Sequence, residues 1–293
     1  MTAQNRLTVT RVTPAYWTVL INNPPINIYD PEMFAELNVL LDALDTDKEV
    51  KVVVLESANL DYFVAHFDFL RADVIPDQPG AAEFTAWPRM VTRFAQSRVV
   101  SVAKVRGRAR GQGSELALAC DIRFASKEKA IFGQPEVGVG VVPGGGGTEW
   151  LCALVGRSRA LEILCGANDY DADTAERYGW VNRSIPDAEL DAFVDTFARR
   201  VASFLKQPLE LAKKLVNANA GFPSEAELWN SNHAFLETKF WPASQARIRR
   251  LLALGFMQPT DMELHMGERL GHAADFEESA DESLNHTTKP PNR

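Results

Sequence analysis

Two glutamates, Glu115 and Glu136, stand where a carboxylate is an unusual choice. Glu115 lies in "RGQGSELALACD" (110–121), after two glycines that flank Gln112 and just before a run of small apolar residues. Glu136 lies in "FGQPEVGVGVVPGGGGTEWL" (132–151), between a Gly-Gln-Pro turn and four consecutive glycines. Glycine admits close approach to the backbone, and the free N–H groups of a helix start carry partial positive charge. Two carboxylates beside such loops suggest an acid–base pair next to an amide site that stabilises a developing anion. Taken alone, the first stretch also reads as a tight strand-to-helix crossing, with Glu115 merely well placed for the helix dipole. Other chemistries fail on spacing. The glycines do not form GxGxxG, PGGGGT lacks the Gly-Lys-Ser/Thr of a phosphate loop, and no GxSxG elbow offers a serine nucleophile.

These loops need elements to hold them. LTVTRV (7–12) and YWTVLIN (16–22) read as a strand pair turning at Thr13-Pro14-Ala15. Asp30 caps a helix that Pro31 begins, with Met33, Phe34, Leu37, Leu40, Leu41 and Leu44 on one face. VKVVVLES (50–57), RVVSVAKV (98–105) and DIRFAS (121–126) are apolar runs of the kind buried on both faces. Ser114–Cys120 reads as a short buried helix. Strands alternating with helices mark the α/β class. Beyond about residue 186 strands cease, and the stripe Leu190, Phe193, Val194, Phe197, Val201 and Phe204 opens a helical block.

Bulk properties narrow the classes. The chain has 293 residues, 46% hydrophobic and 24% charged, a soluble globular composition. No apolar window is long enough for a membrane span, and a soluble cytoplasmic protein is the expectation. The net charge of −8 argues against nucleic acid as a partner. Residues 256–293 carry eight acids against three bases, and 273–293 reads as an acidic, disordered tail. Cys120, Cys152 and Cys165 lie in apolar stretches without CxxC spacing and are expected to pack as small hydrophobes. No histidines pair at metal-ligand spacing, so neither metal nor cofactor is expected.

The order Gly-rich turn, Ser-Glu-Leu-Ala helix, Asp-Ile-x-x-Ala strand, Phe-Gly-x-Pro-Glu and Pro-Gly-x-Gly-Gly-Thr over residues 99–151 resembles the crotonase (enoyl-CoA hydratase/isomerase) family. Asn23-Pro24-Pro25, Val52-Val53-Val54-Leu55 and YFVAHFDF (62–69) extend the resemblance to roughly residues 8–200. It implies a crotonase-like spiral of ββα units over residues 1–186, with a helical assembly region over 187–272 and a homotrimer or dimer of trimers. It also implies an acyl-CoA thioester as substrate, with coenzyme A entering only as part of it. By the same resemblance the backbone N–H groups of Phe67 and Gln112 form an oxyanion hole, and Glu115 and Glu136 manage the proton chemistry. Ala65, His66, Asp68, Phe69, Leu70, Gly111 and Gly144 match segments that contact substrate.

The chain departs from the family's pattern in places. Ala65-His66 replaces Ala-Gly, Gln112 replaces a central glycine, and Glu149-Trp150 replaces Gln-Arg. His66 reads either as a third functional group or as local packing, and Arg71 either as a phosphate contact or as an exposed helix arginine. The implied reaction is addition of water to a 2-enoyl-CoA. The alternatives are another crotonase reaction (isomerisation, thioester hydrolysis or decarboxylation) or an inactive acyl-CoA-binding protein.

Overall fold

The apolar runs become the interior strands of one sheet, and shorter strands that follow them build a second. The computed structural model describes residues 5–71 and 86–272. The acidic segment 273–293 lies outside the described residues. The larger sheet contains β1 (Leu7–Thr13), β2 (Tyr16–Ile21), β3 (Val52–Ser57), β5 (Val100–Val105), β7 (Ile122–Ser126) and β10 (Arg183–Ile185), in that order. Only the β1–β2 hairpin is antiparallel; the remaining pairs are parallel. The smaller sheet runs β4 (Tyr62–Val64), β6 (Arg108–Arg110), β8 (Ile131–Gly133), β9 (Asp169–Asp171).

Strands β3, β5 and β7 lie in the larger sheet, and their successors β4, β6 and β8 lie in the smaller one. Helices α2 (Ala86–Gln96), α3 (Gln112–Ala119) and α4 (Glu136–Val139) follow these pairs. This repeating ββα path is the expected spiral. The β5–β6 corner turns at Gly107, whose φ is +69°, and a Cβ there would sit 2.2 Å from the Asp61 carbonyl carbon. Only glycine fits both demands.

Helix α1 spans Pro31–Thr46, with the Asp30 side chain accepting from the Met33 N–H. Met33, Leu37, Leu40, Leu41 and Leu44 are buried as the periodicity requires, while Phe34 is only partly buried. Helix α8 (Asp187–Ser203) lays Leu190, Val194 and Val201 on the outer face of the larger sheet. Its Phe193 and Phe197 meet the Phe124 ring edge-on, at centroid distances of 5.0 and 5.3 Å. Phe204 departs from the expected stripe: it caps the helix and is exposed. Cys120 is buried as expected, whereas Cys152 and Cys165 are exposed, so apolar neighbours in sequence did not bury them. Among the described residues no helix is long and apolar enough to cross a membrane.

Helix α3 begins two residues before the apolar run suggested, at Gln112 rather than Ser114. It packs so closely on β4 that a Cβ at Gly113 would sit 2.0 Å from the Val64 carbonyl oxygen. A backbone oxygen cannot swing aside. Gly113→Ala is therefore expected to lower stability by about 1–3 kcal/mol or more. Gly166→Ala, at an exposed helix position with nothing near its Cβ, should be neutral or stabilising by about 0.4–1 kcal/mol. Denaturant unfolding of the two variants tests the contrast, and equal stabilities would show that α3 does not need the close approach.

Candidate active site

Glu115 sits in the first turn of α3 and is buried. Its Oε1 accepts from the Gly145 N–H at 2.8 Å and the Gly147 N–H at 3.1 Å. Those amides belong to the start of α5 (Gly147–Val155), where unpaired N–H groups and the helix dipole favour an anion. Burial lifts the Glu115 carboxyl to about 7, the two amides pull against it, and Glu149 adds a smaller upward push. The loop has no room for side chains. A Cβ at Gly145 would lie 2.0 Å from Glu115 Oε2 and 2.2 Å from the Trp87 Nε1.

Glu136 opens α4 and is also buried. Its Oε2 has no hydrogen-bond partner among the described residues. Burial first, then repulsion from Glu115, raises its carboxyl well above the ordinary range. Gly111 makes room for it, since a Cβ there would lie 2.9 Å from Glu136 Oε1. With φ 48° and ψ −122°, Gly111 also holds a backbone conformation that side-chain-bearing residues avoid.

Neither implied oxyanion amide is engaged within the described fold. Gln112 is the first residue of α3, so its N–H has no helical acceptor behind it. Phe67 pairs in a single bridge with Tyr29. There the Tyr29 N–H donates to the His66 carbonyl at 2.8 Å, and the Asp68 N–H donates to the Tyr29 carbonyl at 3.1 Å. Because a trans peptide sets N–H and C=O on opposite sides, fixing the His66 carbonyl on Tyr29 turns the Phe67 N–H away from that strand. Both replacements of glycine leave the backbone unstrained: neither His66 nor Gln112 has positive φ.

One cavity of about 100 Å³ gathers His66, Phe67, Phe69, Gly111, Gln112, Glu115, Glu136 and Gly144. The remaining sequence candidates lie elsewhere. Ala65 packs with Ile26 and Tyr62. The Asp68 carboxylate accepts from the Leu70 and Arg71 N–H groups and so stabilises a turn. Leu70 is exposed. Arg71 forms an ion pair with Glu32, with Nη2 2.8 Å from Oε1. His66 is enclosed, its Nε2 3.1 Å from Glu263 Oε1 and its Nδ1 2.9 Å from the Phe67 carbonyl.

The walls include residues outside the quoted motifs, Phe235 and Leu236 of the helical block among them. Tyr29 and Trp87 meet edge-on at 4.8 Å, and both present unpartnered polar atoms, the tyrosine OH and the indole Nε1. Helix α10 (Glu225–Lys239) contributes Asn232, Phe235, Leu236 and Lys239. Asn232 Nδ2 donates to the Gly144 carbonyl at 2.9 Å. The sequence signal for Trp87, a large aromatic in a polar helical stretch, is generic. Asn232 and Phe235 lie in a helix whose sequence has no marked apolar stripe.

Known proteins match this chain over most of its length. Residues 15–245 match the family model described as enoyl-CoA hydratase/isomerase. The short-chain-enoyl-CoA hydratase of Clostridium acetobutylicum is 32% identical over 220 residues, covering 75% of this chain and 84% of that protein. The crotonyl-CoA hydratase of Syntrophomonas wolfei is 35% identical over 199 residues, covering 67% and 76%. A Streptomyces avermitilis crystal structure assigned as an enoyl-CoA hydratase superposes with a TM-score of 0.85 at 39% identity, over 93% of this chain and 99% of that one. A shared family model across most of the chain and these identities settle the affiliation: the protein belongs to the enoyl-CoA hydratase/isomerase, or crotonase, family of enzymes.

Proposed function

We propose that the protein adds water across the double bond of a 2-enoyl-CoA. The observation that carries this reading is the pair of buried carboxylates, Glu115 and Glu136, on one cavity with two unengaged backbone amides. As the thioester becomes enolate-like, its oxygen gains negative charge, which the Phe67 and Gln112 N–H groups would receive. Such donors act strongly in a water-poor site and need no reorganisation. An isomerase can work with one carboxylate; adding water needs a base for the water and an acid for the α-carbon.

The two environments assign the roles. Glu115, anchored by two amides, is the easier to ionise and takes a proton from water as the oxygen attacks the β-carbon. Glu136, raised further by burial and by its neighbour, holds a proton and delivers it to the α-carbon. The product is a 3-hydroxyacyl-CoA, and a proton passed from Glu115 to Glu136 resets the pair. The two protons titrate as a pair rather than as separate sites. Gly144 lies beside this space and matches the loop position over the water.

Assembly into a trimer or a dimer of trimers is part of the same reading. Helix α9 (Lys206–Asn219) buries none of its residues, and Leu211, Leu215 and Val216 are exposed along it. Apolar surface of that extent marks an interface. Sedimentation at micromolar concentration should show a trimer or a multiple of it, and a monomer would overturn this part.

Turnover of a panel of 2-enoyl-CoA thioesters tests the reaction. Glu115→Gln and Glu136→Gln should each lower hydration by at least about 10²-fold while acyl-CoA binding persists. A variant that keeps near-normal turnover removes its residue from the mechanism. Gln112→Gly should stay within about tenfold of the parent, because the backbone and not the side chain is the donor. Gln112→Pro, which lacks the N–H, should lose about 10² or more.

The same carboxylates should cost stability as they ionise. A carboxyl raised from its unfolded value to about 7 leaves the fold most stable while protonated. That stability is fully present below about pH 4.3 and is lost as pH rises through about 7. Glu115→Gln, which keeps an acceptor for Gly145 and Gly147, should therefore melt higher than the parent at pH 8. The advantage should vanish near pH 4. Melting curves across this range check the sign, and an advantage independent of pH would refute the buried-carboxylate account.

A further inference from the structure

The proposed oxyanion site depends on where the Phe67 peptide points, and the side chain next to it is braced from a distant part of the chain. His66 stands at a motif position where the family usually has glycine. It is buried between two fixed acceptors, the Phe67 carbonyl at 2.9 Å and the Glu263 carboxylate at 3.1 and 3.2 Å. Since a carbonyl can only accept, Nδ1 carries a proton and donates to it. The ring also stacks on Phe256, at a centroid distance of 4.6 Å and an interplanar angle of 17°.

Glu263 lies on the short helix α12 (Asp261–Leu264) and is fully buried. Burial opposes its ionisation, but His66 and the Met257 N–H, 3.0 Å from Oε2, outweigh this and hold the carboxyl below its ordinary value. Its backbone is fixed from the other side of the site. Arg110 Nη1 donates to the Glu263 carbonyl at 2.6 Å, while Nε and Nη2 of the same guanidinium hold Asp169 at 2.7 and 2.6 Å. Arg108 Nε donates to the Leu264 carbonyl at 2.8 Å. Arg108 and Arg110 belong to β6, the strand that runs directly into Gly111 and Gln112. One residue, Glu263, thus connects by its side chain to the Phe67 peptide and by its backbone to the strand that delivers the Gln112 amide.

We propose that His66 and Glu263 are positioning residues for the proposed hydration, a brace that aims the Phe67 N–H and fixes its spacing from the Gln112 N–H. Glycine at position 66 offers no side chain for this purpose. In this chain the imidazole takes over the orienting task and makes it dependent on the C-terminal segment. The clamp on Tyr29 holds the peptide before Phe67 by the His66 carbonyl and the peptide after it by the Asp68 N–H, and the histidine adds a second contact, on the Phe67 carbonyl, that keeps the later peptide from tilting. Together they leave the Phe67 N–H one direction to face.

This inference rests on the oxyanion reading of Phe67 and Gln112, and its test separates the two. An aryl-conjugated enoyl-CoA thioester absorbs at longer wavelength when its carbonyl is polarised, so its red shift on binding reports the amides without any turnover. The full-length parent should shift the chromophore; no shift in the parent would defeat the oxyanion reading itself. His66→Ala should lose most of the shift and lower kcat about tenfold or more, with KM within about threefold. His66→Asn, which can still donate to the Phe67 carbonyl, should recover part of both. Glu263→Gln should resemble His66→Asn, and the double variant His66→Ala/Glu263→Gln should be no worse than His66→Ala alone. If Glu263→Gln does not fold, the alanine and asparagine pair at position 66 carries the test. A parent that shifts the chromophore, with position-66 variants that keep both shift and kcat and lose only melting temperature, would overturn the proposal.

Discussion

Everything around this site accommodates one costly feature: two carboxylates buried together in a cavity lined mainly by apolar and aromatic groups. An unpaired buried charge is expensive, and a second one beside it more so. The fold offsets the first with backbone amides. Glu115 Oε1 takes the Gly145 and Gly147 N–H groups at the start of α5, so the donor is a preorganised helix end and no cation is required. That single contact ties α3 to the glycine loop and dictates the loop's composition, because any Cβ at Gly145 would strike the carboxylate. Glu136 receives no such help. The pair therefore settles into unequal states, which is the condition under which one can act as base while the other acts as acid.

The close packing of α3 follows from the same requirement. For Glu115 to face the loop and the Gln112 N–H to face the cavity, the helix must begin hard against β4. Gly113 makes that approach possible, and Gly111 supplies the backbone turn that starts it. The residue between them is exempt, since a first helical residue has ordinary dihedrals and carries its N–H whatever its side chain. Gln112 in place of glycine is thus no loss to the proposed donor. Glycine is needed where the backbone is strained or crowded, at 111 and 113, and not at the donor itself.

The parts legible in the sequence were those written as long periodic signals or as dense motifs. The apolar runs that became β3, β5 and β7 are buried on both faces, and the Asp30-Pro31 start of α1 has a capping geometry that follows from residue type. The three-residue strands β4, β6, β8, β9 and β10 were not legible, because three residues carry too little alternation to stand apart from loops. The four-residue helix α4, which places Glu136, shares that fate. In the site, Glu115 and Glu136 stood out because carboxylates in apolar, glycine-rich stretches break the local rule, and functional positions are where such rules break. Ala65, Asp68 and Leu70 were carried along by proximity in sequence. Ala65 packs inward with Ile26 and Tyr62, Asp68 is taken up by a turn on the Leu70 and Arg71 N–H groups, and Leu70 is exposed, so closeness to Phe67 did not bring them to the cavity.

The C-terminal helices show why half of a site escapes motif reading. Helix α10 seats on the glycine loop so closely that a Cβ at Gly144 would sit 2.4 Å from the Phe235 Cβ, and Asn232 bonds the carbonyl of that same glycine. Phe235 then meets Phe67 edge-on at 5.8 Å, and Phe69 bridges to Phe256 at the same distance. The cavity's reactive floor thus comes from loops with strict backbone demands, and its roof from helices whose demand is only to be apolar and to fit. Floors of the first kind are written as recognisable strings of glycine, proline and glutamate. Roofs of the second kind are written as ordinary helices without a marked motif, in which any residue of similar volume reads alike. The chemistry proposed for this chain therefore resides in its most legible residues, while the shape and aromatic lining of the cavity reside in its least legible ones.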